Sequence, residues 1–541
     1  MKNNKFALTA IKLLITAAVG FIYFYVKLPS INLQDLEFYT FVFILSAVYC
    51  LLSIFTVGVY HVDSIFELGR VLKKNCFLPA CICAALILLM LVGSLISAPI
   101  FRASAYSALL DVESGDFTAD VKEISFDQIP MLDAASAEKL GDRKLGELSD
   151  MVSQFEVADN YSQINYKGRP VRVTPLIYGD LIKWFNNRAE GLPAYLIIDM
   201  VTQNVEVVRL DEGMKYSPNE HFGRNLYRHL RFNYPGYMFY GASFEIDEDG
   251  VPYWVCPRLV KKIGLFGGQD INGAVLVNAI TGACTYYEEI PTWVDRVYFA
   301  ELIIQQYDYR GMYQGGFINS ILGQKGVTIT TDGYNYLAIN DDVYMYTGIT
   351  SVGSDQSNVG FILTNQRTKE TKYYPGAGAT EYSAMGSAEG EVQNLKYVAT
   401  FPLLLNISDQ PTYFMALKDA AGLVKMYAMV NVQQYQIVAV GNSVAECEAN
   451  YVQMLPGGST SNENESKPQQ EIVGQITDIR SAVIDGNTHY YIQLAGMDCY
   501  YVLSAGSNPL AAILNVGDEV TIIADTDSSE LVSAYKITRE N

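Results

Sequence analysis

The sequence predicts an α+β protein: three transmembrane helices, then tandem units of one helix and an antiparallel sheet, then a small all-β barrel. Three observations support this fold class. Three apolar stretches of membrane-spanning length lie within the first 102 residues. A strand–turn–strand pattern then recurs four times. Finally, a polar linker precedes five short segments with the composition of strands.

The apolar stretches cover Phe6–Val26, Phe38–Tyr60 and Phe77–Phe101, and each has about the 20 residues that a membrane-spanning helix needs. Lys12 lies inside the first stretch, and we expect its side chain to extend toward the lipid headgroups. The basic start of this stretch also resembles a cleavable signal peptide. Two further spans and the aromatic run Phe21–Tyr25 favour a retained anchor instead.

Basic residues predict the orientation of the anchor. They precede the first span and occupy the loop between the second and third spans, at Lys2, Lys5, Arg70, Lys73 and Lys74. Because loops rich in lysine and arginine stay in the cytoplasm, the N-terminus is expected there. The chain is therefore expected to be a multi-pass cell-membrane protein with residues after about Arg102 on the extracytoplasmic side.

The chain has a net charge of −20, and residues 103–541 hold 30 basic and 54 acidic residues. This charge argues against nucleic acid or anionic lipid headgroups as partners, although any solvated domain carries charge for solubility. Four cysteines lie outside the anchor, too few for a disulfide framework. Two of them, Cys256 and Cys284, fall on strands of one repeat and either pair or remain buried thiols.

The recurring pattern is an apolar strand that ends in Asp or Asn, a polar turn and a second strand. The copies cover Tyr195–Val208, Ala274–Tyr287, Phe361–Tyr374 and Ala428–Val440. In the first three copies a threonine follows three positions later, in the pairs Asp199/Thr202, Asn278/Thr281 and Asn365/Thr368. We interpret these residues as turn formers that hydrogen-bond to their own backbone.

One helix and another pair of strands are predicted before each hairpin, so the unit is a helix followed by four strands. In the clearest unit the helix is His221–Asn233 and the first strand is Tyr237–Ile246. The other helices are predicted at Asp133–Val152, Phe299–Tyr307 and Glu381–Asn394, with hairpins turning at Lys167-Gly168 and Asp332-Gly333. The predicted boundaries are 1–102 (anchor), 103–212, 213–296, 297–378 and 379–455 (four units), 456–470 (linker) and 471–541 (barrel).

This order resembles the PepSY domain. The segment Gly273–Gly282 comes nearest to that family's strand ending in an Asp-Ala-x-Thr-Gly-like turn. Gln203 and Lys369 stand where the family has the final glycine, and the fourth copy lacks the threonine. The resemblance covers roughly residues 130–441. It implies a secreted or membrane-anchored bacterial protein with a binding role, and for some members the inhibition or chaperoning of a protease.

Residues 456–468 have the composition of a flexible linker. Five strands are predicted beyond it, at Val473–Ile479, His489–Leu494, Cys499–Leu503, Glu519–Ala524 and Leu531–Ile537. With the apolar segment Leu510–Leu514 before the fourth strand, this order resembles a small OB-type barrel. Four tyrosines either pack in its core or stack on a sugar or peptide: Tyr490, Tyr491, Tyr500 and Tyr501.

No catalytic, cofactor-binding or metal-ligating residue is predicted. Ser136 and Lys139 match the Ser-x-x-Lys of penicillin-binding enzymes, but the accompanying motifs do not occur, which favours a solvated helix face. Residues 245–250 resemble the start of a calcium loop, but Cys256 stands where a glutamate is required, which favours a hairpin turn. His221 and His229 are eight residues apart, a spacing that does not favour a shared metal.

Arg224, Arg228, His229 and Arg231 form a basic cluster in an acidic region. The cluster either binds an anion or a partner, or it pairs with neighbouring acids, and we favour the second interpretation.

These features favour a membrane-anchored, extracytoplasmic and non-enzymatic binding or scaffold protein of the bacterial cell envelope, which acts on another envelope protein or a wall component. One alternative is a regulator or inhibitor of an envelope protease. Another is an envelope hydrolase whose site is assembled from distant residues. An apolar groove or an open sheet edge is expected for the binder, and a polar pocket with shifted pKa values for the hydrolase. No cofactor is expected.

Overall fold

The computed structural model describes residues 2–56, 65–123, 129–339, 341–352, 357–455, 469–484, 487–505, 508–525 and 531–539. The chain divides into two compact units. One holds residues 1–385, 401–413 and 432–435, and the other holds residues 386–400, 414–431 and 436–541. The N-terminal helices and the first three sheets therefore belong to one unit, and the C-terminal barrel belongs to the other.

The first four helices are α1 (Lys2–Lys27), α2 (Leu36–Phe55), α3 (Ile65–Ser97) and α4 (Pro99–Ser107). Three segments are long and apolar enough to cross a membrane: Phe6–Lys27, Leu36–Phe55 and Lys73–Ser97. The prediction of three spanning helices is confirmed at this level. The third ends at Ser97 and not at the predicted Phe101, because the helix breaks before Pro99, which begins α4. Residues 57–60 of the second predicted span lie outside the described residues.

The Lys12 side chain contacts α2. Its side chain is only 1% exposed, and its ammonium group donates to Ser53 Oγ of α2 at 3.2 Å. The same ammonium lies 5.2 Å from the centre of the Tyr49 ring. A polar partner and an aromatic face on α2 therefore accompany this charge, and the extension toward the headgroups stays a prediction.

Between these helices and the first sheet lie β1 (Glu113–Ser114) and α5 (Phe117–Asp120). The first sheet region contains α6 (Ala134–Gly146), β2 (Phe155–Val157), β3 (Ser162–Tyr166), β4 (Arg169–Tyr178), α7 (Leu181–Asn187), β5 (Leu192–Asp199) and β6 (Val205–Met214). The second contains a 3₁₀ turn (Phe222–Arg224), α8 (Leu226–Asn233), β7 (Met238–Phe239), β8 (Ser243–Ile246), β9 (Pro252–Ile263), β10 (Gly267–Asn278) and β11 (Cys284–Tyr287).

The third region contains α9 (Ala300–Tyr313), a π-helical turn (Asn319–Gly323), β12 (Thr328–Thr330), β13 (Asn335–Ile339), β14 (Asp342–Ser351), β15 (Ser357–Asn365) and β16 (Thr371–Ala379). The fourth contains α10 (Glu381–Glu391), β17 (Val398–Ala399), β18 (Leu403–Ile407), β19 (Gln410–Lys418), β20 (Val424–Asn431) and β21 (Val438–Gly441), and α11 (Val444–Met454) follows.

All four sheets share one connectivity. Within each region the first strand pairs with the third, the third with the fourth and the fourth with the fifth, while the second also pairs with the third. Each region therefore has five strands and not the predicted four. In the second sheet, the predicted strand Tyr237–Ile246 is divided into β7 and β8 around Gly241, whose φ is 87°.

The predicted hairpin at Asp332-Gly333 is wrong. The strands on either side of it, β12 and β13, each pair with β14 and not with one another. An Asp-Gly pair supplies the positive φ that a tight turn needs, and Gly333 has a φ of 93°. Asp332-Gly333 therefore forms a local turn, but the strands on either side of it both pair with β14.

The Asp/Asn turn residues act as predicted. Three side-chain oxygens, each the Oδ1 of Asp199, Asn278 or Asn365, accept hydrogen bonds from the backbone N–H groups two and three residues later at 2.8–3.0 Å. Each threonine hydroxyl oxygen then accepts a bond from the N–H two residues further on. These side chains therefore stabilise the turns in which they lie.

The first two sheets share a buried apolar core that includes Leu196, Ile198, Phe244, Trp254 and Val277. In the other unit, β22 (Gln469–Ile484), β23 (Asn487–Leu494), β24 (Tyr500–Ser504), a 3₁₀ turn (Pro509–Ile513), β25 (Glu519–Asp525) and β26 (Leu531–Arg539) form a closed barrel in the order β22-β23-β24-β26-β25. Of the four tyrosines singled out in the sequence, Tyr501 is buried in the core and Tyr490 packs against it.

Candidate functional site

The basic cluster holds the end of α1. The Arg228 Nε donates to the Tyr25 carbonyl oxygen at 3.0 Å, and the guanidinium carbon lies 4.2 Å from the centre of the Tyr25 ring. The Arg231 Nε donates to the Leu28 carbonyl oxygen at 2.8 Å. Cations beside the last carbonyls of a helix stabilise its C-terminus. These two arginines therefore bind backbone carbonyls, and Arg231 also interacts electrostatically with the acids Asp35 and Glu37, as the favoured interpretation of the sequence expects.

The second sheet also holds the corresponding ends of α2 and α3. The Gln34 side chain, just before α2, donates to the Lys261 carbonyl oxygen at 3.0 Å. At the end of α3, Ser97 Oγ accepts hydrogen bonds from the N–H groups of Leu265 and Phe266 at 2.9 and 3.0 Å. The end of α1 therefore meets α8, and the start of α2 and the end of α3 meet the sheet of the same region.

The two histidines do not converge. His229 Nε2 lies 2.7 Å from the Gly282 carbonyl oxygen, and His221 packs against Trp184 with ring centres 4.7 Å apart. Within the described ranges, no cluster of His, Cys, Asp and Glu side chains has the arrangement of a metal site.

The acidic segment 245–250 forms the predicted hairpin turn. Asp247 Oδ1 accepts hydrogen bonds from the Asp249 and Val251 N–H groups at 3.0 and 2.8 Å, between the paired strands β8 and β9. Cys256 and Cys284 are both free thiols. Ser136 lies in the first turn of α6, where the Asp133 carboxylate accepts a hydrogen bond from its N–H at 2.8 Å.

A groove of about 540 Å³ runs along β6, the last strand of the first sheet. We call it the β6 groove. One side is formed by β6 and the adjoining face of β5, and the other by the turn between β8 and β9. Its apolar lining consists of Tyr166, Tyr195, Ile197, Val208, Leu210, Val251, Pro252 and Ile280.

One strand in this groove is a sheet edge. Within the part of the chain that the structure describes, β6 pairs with β5 alone, so the other side of its backbone has no strand partner. Such an edge offers unpaired N–H and C=O groups to another extended chain. In the ladder Val208 lies opposite Tyr195, and Glu206 lies opposite Ile197. These four side chains therefore share one face of the sheet.

Tyr195 connects the two sides of the groove. Its hydroxyl donates to the Gly250 carbonyl oxygen at 2.7 Å. Gly250 has a φ of 81°, a left-handed conformation that favours glycine, so the turn brings this carbonyl to the tyrosine without a Cβ penalty. Burial raises the pKa of Tyr195, and the nearby Tyr166 and Glu206 add to the shift. The phenol is therefore a neutral, structural donor.

The rim of the groove is acidic. Four carboxylates line it: Glu206, Asp211, Glu212 and Asp249. The cation among the lining residues is Arg209, and its Nη1 lies 2.8 Å from Asp150 Oδ2. The groove therefore combines an apolar floor with a negative rim, which complements an extended segment that carries basic and apolar side chains.

The most deeply buried carboxylates lie outside the β6 groove. Glu245 accepts hydrogen bonds from the N–H groups of Asp295 and Arg296 at 2.8 and 3.1 Å, and Asp295 accepts one from Asn165 N–H at 2.7 Å. Burial raises the pKa of Glu245 to about 7 and the pKa of Asp295 well above its usual range. Glu381, also buried, accepts from Gly348 N–H at 2.8 Å. None of these carboxylates lines the β6 groove.

Sequence reasoning missed this groove, although both of its parts were predicted. The hairpin containing β6 and the turn at 247–250 were assigned to different units, and only the packing of those units brings them together. The available indication was the pair Asp211-Glu212, which places two charges near the end of a strand that is otherwise rich in valine.

Among the residues that it describes, the structure has three helices of membrane-spanning length, four sheets of one connectivity and a five-stranded barrel. No protein-family model matches the chain. No curated protein matches it either. Among solved structures, the Bacillus megaterium YpeB C-terminal domain is similar at a TM-score of 0.09 and 10% identity, over 41% of this chain and 94% of that one. A variant of B. megaterium levansucrase has a TM-score of 0.17 and 9% identity, over 78% of this chain and 98% of its own. Scores this low do not establish a shared fold.

Proposed function

We propose that this chain is a membrane-anchored, non-enzymatic binding or scaffold protein of the bacterial cell envelope, and that the β6 groove receives an extended segment of another envelope protein or wall component. The observation that carries this proposal is the unpaired edge of β6 beside an apolar floor. An extended peptide that adds to a sheet edge gains main-chain hydrogen bonds, and adjoining pockets select its side chains.

We place residues after about Arg102 on the extracytoplasmic side, with the N-terminus in the cytoplasm. The distribution of basic residues supports this orientation. It is also compatible with the contacts at the end of α1, the start of α2 and the end of α3, because all three meet the second region, through α8 or its sheet. Lys73 and Lys74 then lie toward the opposite end of the anchor.

We further interpret the four sheet regions as PepSY-like units with the predicted boundaries, and the C-terminal barrel as OB-like. The shared connectivity of the four sheets supports the first interpretation. The closed order of five strands, with a 3₁₀ turn before the fourth, supports the second.

The binder is favoured over the envelope hydrolase because of where the shifted pKa values lie. General acid–base catalysis needs a titratable group within reach of a substrate. Glu245, Asp295 and Glu381 have raised pKa values but are buried, at 0%, 1% and 0% exposure. A protease regulator remains a special case of the binder, in which the partner is an envelope protease.

The proposal is tested by photocrosslinking in intact bacterial membranes. Val208 is replaced with p-benzoylphenylalanine in the full chain, and Val359, on β15 of the third sheet, is replaced as the matched control. We expect one recurrent protein or wall peptide to be captured from position 208 and not from position 359. A synthetic copy of the captured segment should then bind the purified full chain in nanodiscs. Capture of lipid or of a second copy alone would contradict the proposal.

A further inference from the structure

Four large apolar side chains are exposed together near the end of α1. Leu181, Ile182 and Phe185 lie on one face of α7 and are 62%, 73% and 59% exposed. Phe222, which precedes α8, is 65% exposed. We call these four side chains the α7 patch. Large apolar groups that share one exposed surface mark an interaction site more often than isolated ones do.

Hydrogen bonds to the buried Glu220 carboxylate hold the α7 patch in place. The Trp184 Nε1 donates to Glu220 Oε2 at 2.7 Å, and the Tyr178 hydroxyl donates to Glu220 Oε1 at 2.9 Å. Glu220 is only 2% exposed and directly precedes the Phe222 turn, so it ties α7 to that turn. The Trp184 and Phe222 ring centres are 5.9 Å apart.

The backbone at Phe222 is also unusual. Its φ is 52°, a left-handed conformation that aromatic residues rarely adopt. In this conformation the Phe222 carbonyl oxygen accepts hydrogen bonds from Asn225 N–H and from the Arg228 side chain.

The patch lies at the level where the first membrane-spanning segment ends. The Arg228 Nη1 donates to the Phe222 carbonyl oxygen at 2.6 Å, while its Nε donates to the Tyr25 carbonyl oxygen at 3.0 Å. Tyr25 belongs to the last turn of the segment Phe6–Lys27. In addition, Phe232 of α8 packs edge-on against Phe24, with ring centres 5.5 Å apart. One guanidinium group therefore links the patch to the membrane boundary of α1.

Two arginines and a lysine lie beside the patch. The Arg188 guanidinium carbon lies 4.3 Å from the centre of the Phe185 ring, and Arg224 donates to the Arg188 carbonyl oxygen. Lys183 lies within α7 itself and pairs with the Asp180 carboxylate at 3.4 Å, so Arg188 and Arg224 supply the positive charge. An apolar face with basic neighbours is typical of helices that lie in a membrane interface. The positive charge beside the patch is opposite in sign to the net charge of residues 103–541. That net negative charge argued against headgroup contacts for the external region as a whole.

We propose that the α7 patch inserts into the lipid bilayer, at the boundary between headgroups and acyl chains of the leaflet in which α1 ends. The basic side chains beside it then contact lipid phosphates. The first sheet is thereby held against the membrane surface by a contact that is separate from the spanning helices. The occupant of this surface is lipid, and a second protein is the outcome that the experiment must exclude.

The experiment uses the full chain reconstituted in two kinds of vesicle, phosphatidylcholine alone and phosphatidylcholine with about one-third phosphatidylglycerol. Three variants carry p-benzoylphenylalanine, at position 182, at position 222 and at the control position 359. After irradiation, lipid adducts are counted by mass spectrometry. We expect at least about fivefold more lipid adduct at positions 182 and 222 than at 359 in both kinds of vesicle.

An independent measurement uses Phe222→Trp and Val359→Trp in vesicles that contain brominated lipid. We expect the added emission of the first variant to be quenched and that of the second to be retained. Equal adduct yields at the three positions, adducts to a second copy of the chain, or equal quenching of the two tryptophans would overturn the proposal.

Discussion

The first and third sheets have the same connectivity but differ in whether their last strand pairs with a further strand. In the third sheet, β16 is covered by β1 in a parallel pair that joins Glu113 to Lys372 and Ser114 to Tyr373. In the first sheet the equivalent strand, β6, has no such partner among the described residues and lines a groove. The two regions therefore contrast a closed edge with an open one.

The closed edge is secured by the segment that contains β1 and α5. The Phe117 ring packs edge-on against Phe361 and Tyr374, with ring centres 5.2 and 5.8 Å apart. Lys372 Nζ donates to Asp120 Oδ1 at 2.9 Å. The comparison shows that an open edge is not a necessary feature of this connectivity. Since unpaired edges invite aggregation, an edge that is left open and shaped into a groove is a candidate for function.

Removing the aromatic cover should open the closed edge. Phe117 is 8% exposed, so Phe117→Ala leaves a cavity beside two rings and should cost about 4 kcal/mol of local stability. Hydrogen exchange of the β16 amides, measured on the full chain in nanodiscs, should accelerate accordingly. Val359→Ala, at a side chain that is 39% exposed, should change stability by less than about 0.5 kcal/mol. Unchanged exchange in β16 would show that β1 and α5 do not protect this edge.

Glu245 and Asp295 form a buried junction between the first and second sheets, and this junction should weaken as the pH rises. Burial raises the folded-state pKa of Glu245 from its usual 4.5 to about 7, so the folded protein binds a proton that the unfolded chain releases. The resulting stability is fully present below pH 4.5 and is lost as the pH rises through about 7.

Thermal melting followed by tryptophan fluorescence should therefore give a higher midpoint at pH 5 than at pH 8. In Glu245→Gln the difference between these two midpoints should shrink, because the amide does not titrate. A midpoint that rises with pH in the unmodified protein would contradict the assigned direction.

Adding a methyl group where β1 approaches β16 should have a smaller effect. A Cβ on Gly115 would lie 2.5 Å from Tyr374 Cε1, so Gly115→Ala forces the two segments apart at a cost of about 2 kcal/mol. Gly146→Ala is the matched control, because its added Cβ has no atom within 4 Å. If both substitutions speed hydrogen exchange in β16 equally, the close approach at Gly115 is not what keeps β1 paired with β16.

Reversing charge on the open edge should change binding and not stability. Glu212→Lys places a cation on the acidic rim, and the affinity for the peptide copied from the segment captured at position 208 should fall about tenfold. Glu289→Lys, outside the groove lining, makes the same charge change and should leave the affinity unaltered. Equal losses in the two variants, measured by titration in nanodiscs, would mean that only net charge matters.

The elements that the sequence predicted correctly depend on short-range patterns. The spanning helices follow from composition, and the turns at Asp199, Asn278 and Asn365 follow from side chains that bind their own backbone. No helix was predicted at α7, because seven residues are too few to show helical periodicity. Breaks within strands, such as that between β7 and β8, need a backbone conformation that composition does not reveal.

The site depends on contacts that are distant in sequence. Arg228 binds the carbonyl of Tyr25, 203 residues away, and no local pattern announces this pair. Whether a sheet edge is open or covered also depends on contacts that are distant in sequence. β1 precedes the first two sheets in the chain, yet it pairs with β16 of the third sheet. The β6 groove likewise joins two units that the sequence describes separately.

The most direct test of the open edge is hydrogen exchange of the full chain in native membrane fragments, where its partner is present, compared with the purified chain in nanodiscs. If an extended segment occupies the β6 groove, the β6 amides should exchange more slowly in native membranes, while those of the covered strand β16 should be unchanged. Equal exchange of β6 in the two preparations, or slowing that is confined to other strands, would contradict the account.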